Sequence, residues 1–497
     1  MTTLRAALCA AFGLVACLPA GAAAQQQRPP AAANRPPNIV FIIADDLGYG
    51  DVGVYGQQKI RTPRLDRMAR EGTRFTQFYA GSPVCAPSRS TLFTGQHTGR
   101  TPIRSNPSQV TPAKRLGRGV DWPIADSVVT LAEVLRARGY ATGGFGKWGL
   151  GYPGSTGDPL KQGFEHFFGY LSHIAAHSHY PEFLWDDGRK RPLPGNANGG
   201  HATYAEDVIA TEALAFLEQN RSRPFFLYLP FTAPHAELRA PKDAYGPYVD
   251  SSGRSIFPEK PFERANYAAQ PMPRATYAAM ITRLDRDVGR VLDKLRELGL
   301  DTNTVVFFTS DNGPSIEGGI DPVFFNSNGP LRGVKRDVYE GGIRVPMIAW
   351  GPGRVPAGRV SEHVWAMWDV MPTLAEFAGA RAPAGIDGLA MAQAVTGRGT
   401  ARDHDHLYWE FHEQGGKQAV RRGRWKAVRL NVAANPDAPV ALYDLSADLA
   451  EQRNVAGEHP KLVRELAAIM AREHTSSDVF PALDKAPSRP GATGSGR

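Results

Sequence analysis

Cys85 is the residue on which any chemistry of this chain would turn. The other two cysteines, Cys9 and Cys17, lie in an apolar N-terminal segment. A lone cysteine forms no internal disulfide, and a free exposed thiol is a liability in an oxidising compartment. Cys85 is therefore either buried and inert or present for chemistry. Its neighbours favour chemistry. Pro83 and Pro87 bracket it in a turn, Ser88 is placed to cap a following helix, and Arg89 puts a permanent cation one turn away. Asp45-Asp46 closes one apolar run, and Asp311-Asn312 closes another. Either pair alone reads as turn chemistry. Two such strand ends converging would gather three carboxylates and an amide oxygen, a hard all-oxygen set that suits Ca²⁺ or Mg²⁺ rather than zinc. Lys147, in Gly144-Phe145-Gly146-Lys147-Trp148, and Lys335, just past Leu331-Arg332-Gly333, would each be a solvated charge if taken singly. His235, in Ala233-Pro234-His235, follows a strand-like run; a lone histidine is usually structural, but the residue type also suits general-acid work.

The run Cys85-Ala86-Pro87-Ser88-Arg89 resembles the C-x-P-S-R signature of the type I sulfatases, the arylsulfatase-like branch of the alkaline phosphatase superfamily. The remaining motifs follow that family's order from about Pro37 to about Asn454, with Tyr443-Asp444-Leu445 near the end. The resemblance implies that a maturation enzyme oxidises Cys85 to formylglycine, whose hydrated aldehyde is the nucleophile. It implies one Ca²⁺ held by Asp45, Asp46, Asp311 and Asn312 together with the modified residue 85. Relatives with two metals would place a histidine after the aspartate equivalent to Asp311, and Asn312 points to one cation instead. Lys147 and Lys335 would bind the sulfate oxygens and the anions of the metal site, as a sulfate ester requires when charge shifts in the transition state. Residue 85 would attack sulfur, and the alcohol would leave with help from His235 or Lys335, dividing one hard displacement into two easier ones. An unoxidised thiol has no hydroxyl through which to collapse and would be nearly inactive.

The chain departs from the family at one point. Many sulfatases read G-K-W-H-L-G, with a histidine that helps expel sulfate, whereas Lys147-Trp148-Gly149-Leu150-Gly151 has glycine there. Glycine cannot act as a base. The segment His173-Ile174-Ala175-Ala176-His177-Ser178-His179 could supply a substitute, and His177, in an Ala-His pair similar to that of some bacterial relatives, is the favoured residue. These histidines could equally line the substrate cleft or lie on the surface.

The elements that must position these groups are legible in outline. Asn38–Ala44, Ala141–Phe145, Phe225–Leu229, Thr304–Phe308 and Val345–Trp350 are continuous apolar runs of the kind buried on both faces of a parallel sheet. Val128–Arg138, Tyr204–Gln219 and Tyr277–Leu298 have helical spacing. Their alternation predicts a layered α/β domain with a mainly parallel sheet, spanning residues 38–400 and alkaline-phosphatase-like by the resemblance, and ligands in such sheets sit beyond the carboxyl ends of the strands. After about Thr400, short strand-like pieces at Leu407–Phe411, Gln418–Arg421, Trp425–Val428 and Ala441–Asp444 precede a helix at Lys461–Arg472. They predict a small α+β subdomain with an antiparallel sheet at 401–484. The stretch Tyr408–Gln418 reads as an active-site rim or as a core strand pair.

The chain has 497 residues, 42% hydrophobic and 21% charged, an ordinary globular composition. Residues 1–24 read as a secretory signal, with Arg5 as the positive region and Ala22-Ala23-Ala24 before the cut. An alternative is a lipoprotein box, Leu14-Val15-Ala16-Cys17, with a lipid anchor at Cys17. Both imply export, to the periplasm or beyond. Residues 25–37 and 485–497 read as a disordered linker and tail. No later run is long enough to span a membrane. Removing Arg5 takes the formal charge from +8 to +7, without the dense basic run that tracks nucleic acid. The expected partners are a sulfated small molecule or glycan and the maturation enzyme. Two competitors remain open: a phosphonate or phosphate ester hydrolase of the same fold, and a non-catalytic sulfated-glycan binding protein.

Overall fold

Residues Asn38–Ala44 form the central strand β1, and all seven are buried. The computed structural model describes residues 35–106, 120–476 and 479–480. The expected signal segment, most of the linker, Cys9, Cys17 and the tail lie outside them. In chain order the elements that matter here are β1, helix α1 (Pro63–Arg70), β2 (Thr73–Tyr79), α2 (Cys85–Thr94), α3 (Leu131–Ala137), β3 (Ala141–Lys147), β4 (His166–Tyr170), β5 (Phe183–Asp186), β6 (Arg189–Pro192), α4 (Ala205–Gln219), β7 (Phe225–Pro230), α5 (Pro273–Glu297), β8 (Thr304–Ser310), β9 (Arg344–Trp350), β10 (Arg359–Ser361), β11 (Trp365–Ala366) and α6 (Val370–Phe377). The last part of the chain adds β12 (Leu407–Phe411), β13 (Lys417–Arg422), β14 (Trp425–Leu430), β15 (Val440–Asp444) and α7 (Pro460–Arg472).

The large sheet runs β10-β2-β9-β8-β1-β7-β3-β4-β5-β6, with β11 also pairing β2. Its centre, β8-β1-β7-β3-β4, is wholly parallel. The run at 345–350 forms β9 as expected but enters antiparallel to both β8 and β2. An apolar run reports burial on both faces and carries no sign of strand direction.

The alternation of β1 divides the core in two. Val40, Ile42 and Ala44 pack with α4 and α5 residues such as Ile209, Phe216, Ile281 and Val288. Ile39, Phe41 and Ile43 pack with Leu92 and Phe93 of α2, Leu131 and Leu135 of α3, and Met371 and Leu374 of α6. The result is a helix–sheet–helix sandwich that leaves the carboxyl ends of the parallel strands on one edge. Helix α3 starts one turn later than its periodicity suggested. A capping box fixes that start, with Glu133 N–H donating to the Thr130 hydroxyl and Thr130 N–H donating to the Glu133 carboxylate.

The last four strands form a separate antiparallel meander, β12-β13-β14-β15, and α7 packs on it through Leu466, Ile469 and Met470. No helix among the described residues is long and apolar enough to cross a membrane.

Candidate active site

The strand ends converge as their sequences suggested. Asp45 and Asp46 leave β1 in a sharp turn, with Asp46 at φ 65°, a left-handed conformation that aspartate tolerates better than most residues. The turn is tied across the sheet: Asp46 N–H donates to Asp311 Oδ1 at 3.2 Å, and Leu47 N–H donates to Ser310 Oγ at 2.9 Å. Asn312 Nδ2 donates to Asp46 Oδ1 at 2.8 Å. Asp45, Asp46, Asp311 and Asn312 are all fully buried.

Cys85 is the first residue of α2, and 2% of it is exposed. One ligand atom each from Asp45, Cys85 and Asp311 lie within 4.8 Å of one another. Because the helix begins at Cys85, Ser88 does not cap it. Ser88 lies inside the first turn, where its hydroxyl accepts from Gly81 N–H at 3.1 Å. Pro87 fits the same turn, since N–H groups there have no helical acceptor. Arg89, one turn on, points inward. It donates to Asp311 Oδ2 from Nη2 at 2.9 Å and from Nε at 3.2 Å, and to the Lys147 carbonyl at 2.5 Å.

Two further cations close the pocket. Lys147, at the end of β3, donates to Asp45 Oδ2 at 2.5 Å. Lys335 donates to Asp46 Oδ2 at 2.7 Å and lies 3.0 Å from His235 Nε2. His235 Nδ1 contacts the Ala236 carbonyl, which assigns the ring proton to Nδ1 and leaves Nε2 to accept from Lys335. The His177 ring stacks on His235, with centroids 4.5 Å apart. His179 stands behind His235, with Nε2 3.0 Å from the His235 carbonyl oxygen.

Electrostatics follow from this packing. Burial pushes the Cys85 thiol above its ordinary value, against the pull of Lys147. Burial would raise Asp45 as well, but Lys147, Arg89 and Lys335 outweigh it and hold the carboxyl well below the usual range. Asp311 goes the other way, pushed up by burial and by the Asp45 charge. Burial and the charge of Lys335 keep His235 neutral, and His177 is depressed by burial together with the charges of Lys147 and Lys335.

The donor set fits a hard cation. Asp45 Oδ1 and Asn312 Oδ1 are buried oxygens with no hydrogen-bond donor among the described residues, a costly state that a bound cation would relieve. His235 also lies near Asp45 and Asp46, but its two nitrogens are engaged by the Ala236 carbonyl and Lys335. The oxygens of Asp45, Asp46, Asp311 and Asn312 remain.

Sequence reasoning passed over three contributors. Asn106 Oδ1 lies 3.8 Å from Cys85 Sγ. Glu413, in the turn between β12 and β13, accepts from Asn106 N–H at 3.0 Å and from the Ser105 hydroxyl at 3.2 Å. Glu317 lies 3.6 Å from Lys335. No local pattern marks Asn106. The polar stretch 408–418 was the available signal for Glu413, and the structure joins both of its readings: Trp409 and Phe411 are core, while Glu413 reaches the pocket wall.

A reactive position at a helix start, above a carboxylate floor and between three buried cations, equips a hydrolase for anionic esters. Residues 37–380 match the family described as Sulfatase, and residues 334–476 match N-sulphoglucosamine sulphohydrolase, C-terminal. Arylsulfatase A of Homo sapiens is 34% identical over 486 residues, 87% of this chain and 86% of that protein. N-acetylgalactosamine-6-sulfatase of Canis lupus familiaris is 34% identical over 422 residues, 79% of this chain and 72% of that protein. Among solved structures, Ps i-CgsB in complex with k-i-k-neocarrahexaose aligns with a TM-score of 0.73 at 27% identity, covering 91% of this chain and 94% of that one. The chain belongs to the sulfatase family of the alkaline phosphatase superfamily and is a sulfuric ester hydrolase.

Proposed function

We propose that this sulfatase is an exported enzyme that removes sulfate from a carbohydrate, with Cys85 oxidised to formylglycine and one Ca²⁺ in the carboxylate site. The observation that carries the reading is the placement of Cys85 against Asp45 and Asp311 within 4.8 Å, with Lys147 on one side and Arg89 one helical turn behind. A buried thiol with a raised pKa is a poor nucleophile, so this position needs another form of residue 85 to react. The formylglycine supplies a hydroxyl nucleophile at residue 85 through its hydrated aldehyde. Because Cys85 is buried within α2, the oxidation has to precede folding, which makes an export-associated maturation enzyme the fitting partner. Asp45, Asp46, Asp311 and Asn312 would hold the Ca²⁺, whose charge would offset that of the carboxylates and favour an anionic group in the pocket.

The protein's own groups divide the remaining work. Lys147 and Lys335 face the non-bridging oxygens of the ester, each anchored by a carboxylate at one of its three protons. Arg89 neutralises Asp311 and stiffens the strand end that carries Lys147. The leaving oxygen collects its proton from the Lys335–His235 pair, whose nitrogens share one hydrogen at 3.0 Å. A sugar as the alcohol is supported by the amino-sugar substrate in the name of one relative and the oligosaccharide bound to one structural neighbour. The test is the rate on aryl sulfates and sulfated oligosaccharides against phosphate monoesters, diesters and phosphonates, with Cys85→Ala as control. Faster phosphorus than sulfur chemistry would replace this reading with a phosphoryl hydrolase. Binding of sulfated glycans without turnover would replace it with a binding protein.

A further inference from the structure

A second buried acid–histidine pair lies beside this pocket and has no part in the scheme above. Asp121 is fully buried, and His173 is 5% exposed. Asp121 grips the histidine twice: Oδ2 accepts the His173 backbone N–H at 2.7 Å, and Oδ1 meets ring Nδ1. A carboxylate on Nδ1 fixes ring orientation and tautomer. Nε2 has no hydrogen-bond partner among the described residues, so a base is held ready without a structural duty.

The pair is placed by the strand that carries Lys147. Beyond β3 the chain continues beside the segment after β4, with Trp148 N–H on the Tyr170 carbonyl at 2.8 Å and Gly149 N–H on the Leu171 carbonyl at 3.0 Å. His173 follows two residues later. A Cβ added at Gly149 would meet one atom within 4 Å, His173 Cβ at 3.9 Å. The space opposite the glycine is thus bounded by His173. Its ring centroid lies 6.2 Å from that of His177, which stacks on His235. The groups facing His173 are Asp121 on Nδ1 and His177 from the following turn. His177 itself makes no ring hydrogen bond among the described residues, and no carboxylate orients it.

We propose that His173, oriented by Asp121, is the base that completes turnover, the task first considered for His177. The inference rests on the formylglycine reading. Nε2 takes the proton of the free hydroxyl on the sulfated residue 85. The carbon–oxygen bond to sulfate breaks with its electron pair leaving on the sulfate oxygen, the hydroxyl oxygen's pair re-forms the aldehyde, and the proton passes from His173 to water. No oxidant or reductant is consumed.

The experiment uses the matured enzyme and nitrophenyl sulfate. His173→Ala and the better-packing His173→Gln should each release one burst of nitrophenol and then stall, with steady turnover down about a hundredfold or more. The peptide spanning residue 85 should then carry the mass of a sulfate ester. His177→Ala should not accumulate that ester. Asp121→Asn should keep the burst, lower kcat and accumulate the same ester to a smaller extent. Independently of turnover, the hydrogen-bonded Nδ1 proton of His173 should give a downfield NMR signal in Cys85→Ala protein that is lost or moved when Asp121→Asn is added. Wild-type turnover by both His173 variants, or equal loss of burst and steady rate without trapped ester, would overturn the assignment. Failure of the wild type to act on sulfates would instead refute the functional reading itself.

Discussion

Replacing Lys426 with methionine should cost about 3 kcal/mol of stability, the lower end of what breaking a buried ion pair costs when one charge is left behind. Lys426, on β14, is fully buried and holds two carboxylates: Glu340 Oε1 at 2.8 Å and Glu451 Oε1 at 3.2 Å, both from residues without exposure. Glu340 keeps other support, from the Tyr79 hydroxyl at 2.6 Å and Arg344 at 3.4 Å, which is why the lower end applies. Burial alone would raise Glu340, but Lys426, Arg344 and Arg421 hold it down at about 2. Glu451 is pushed up to about 7 by burial and by the Glu340 charge, against Lys426. Glu451 therefore binds its proton more tightly in the folded than in the unfolded chain. The penalty of the variant should grow as pH rises through 7 and shrink below it. The loop bearing Lys335 should loosen too, because Arg332 donates to the Glu451 carbonyl at 2.6 Å, so kcat/KM should fall along with stability. Urea unfolding at pH 6 and pH 8 reads the first effect, and the triple variant Lys426→Met, Glu340→Gln, Glu451→Gln should recover most of it. A loss under about 1 kcal/mol, the range of exposed pairs, or no recovery in the triple variant, would refute the reasoning.

Other outcomes follow from the same structure. Glu206 accepts from Thr232 N–H at 2.8 Å and Ala233 N–H at 3.0 Å while its Oε2 has no hydrogen-bond partner among the described residues, and burial lifts it to about 8 against those bonds. The stability it contributes is full below its ordinary 4.5 and is lost as pH rises through 8. Glu206→Gln should flatten that decline in urea midpoints, and an unchanged slope would contradict the assignment. Chelating Ca²⁺ should abolish sulfate release and lower Tm, both restored by Ca²⁺, since a cation at a hundred times its Kd adds about 2.7 kcal/mol; indifference of both to exhaustive chelation would contradict a carboxylate-held cation.

What the sequence disclosed was local. NIVFIIA announced a strand buried on both faces, and the acidic pairs at two strand ends fell together because parallel neighbours in register end at the same edge. Helix α2 was obscure because all ten of its residues are buried, so it shows no polar face. The edge strand Arg189–Pro192 was obscure for the opposite reason, being exposed throughout. Asn106 and Glu413 meet across 307 residues, a contact that only the docking of the antiparallel sheet creates. The pairing of Asp121 with His173 spans 52 residues, again beyond any local spacing rule.

The central claim is that residue 85 works as an oxidised cysteine. Its most direct test is the mass of the peptide spanning Cys85 in protein from a host able to make formylglycine. The account predicts the aldehyde or its hydrate, in proportion to sulfatase activity across preparations. A peptide carrying only the thiol, in a host that converts a sister sulfatase, would contradict it.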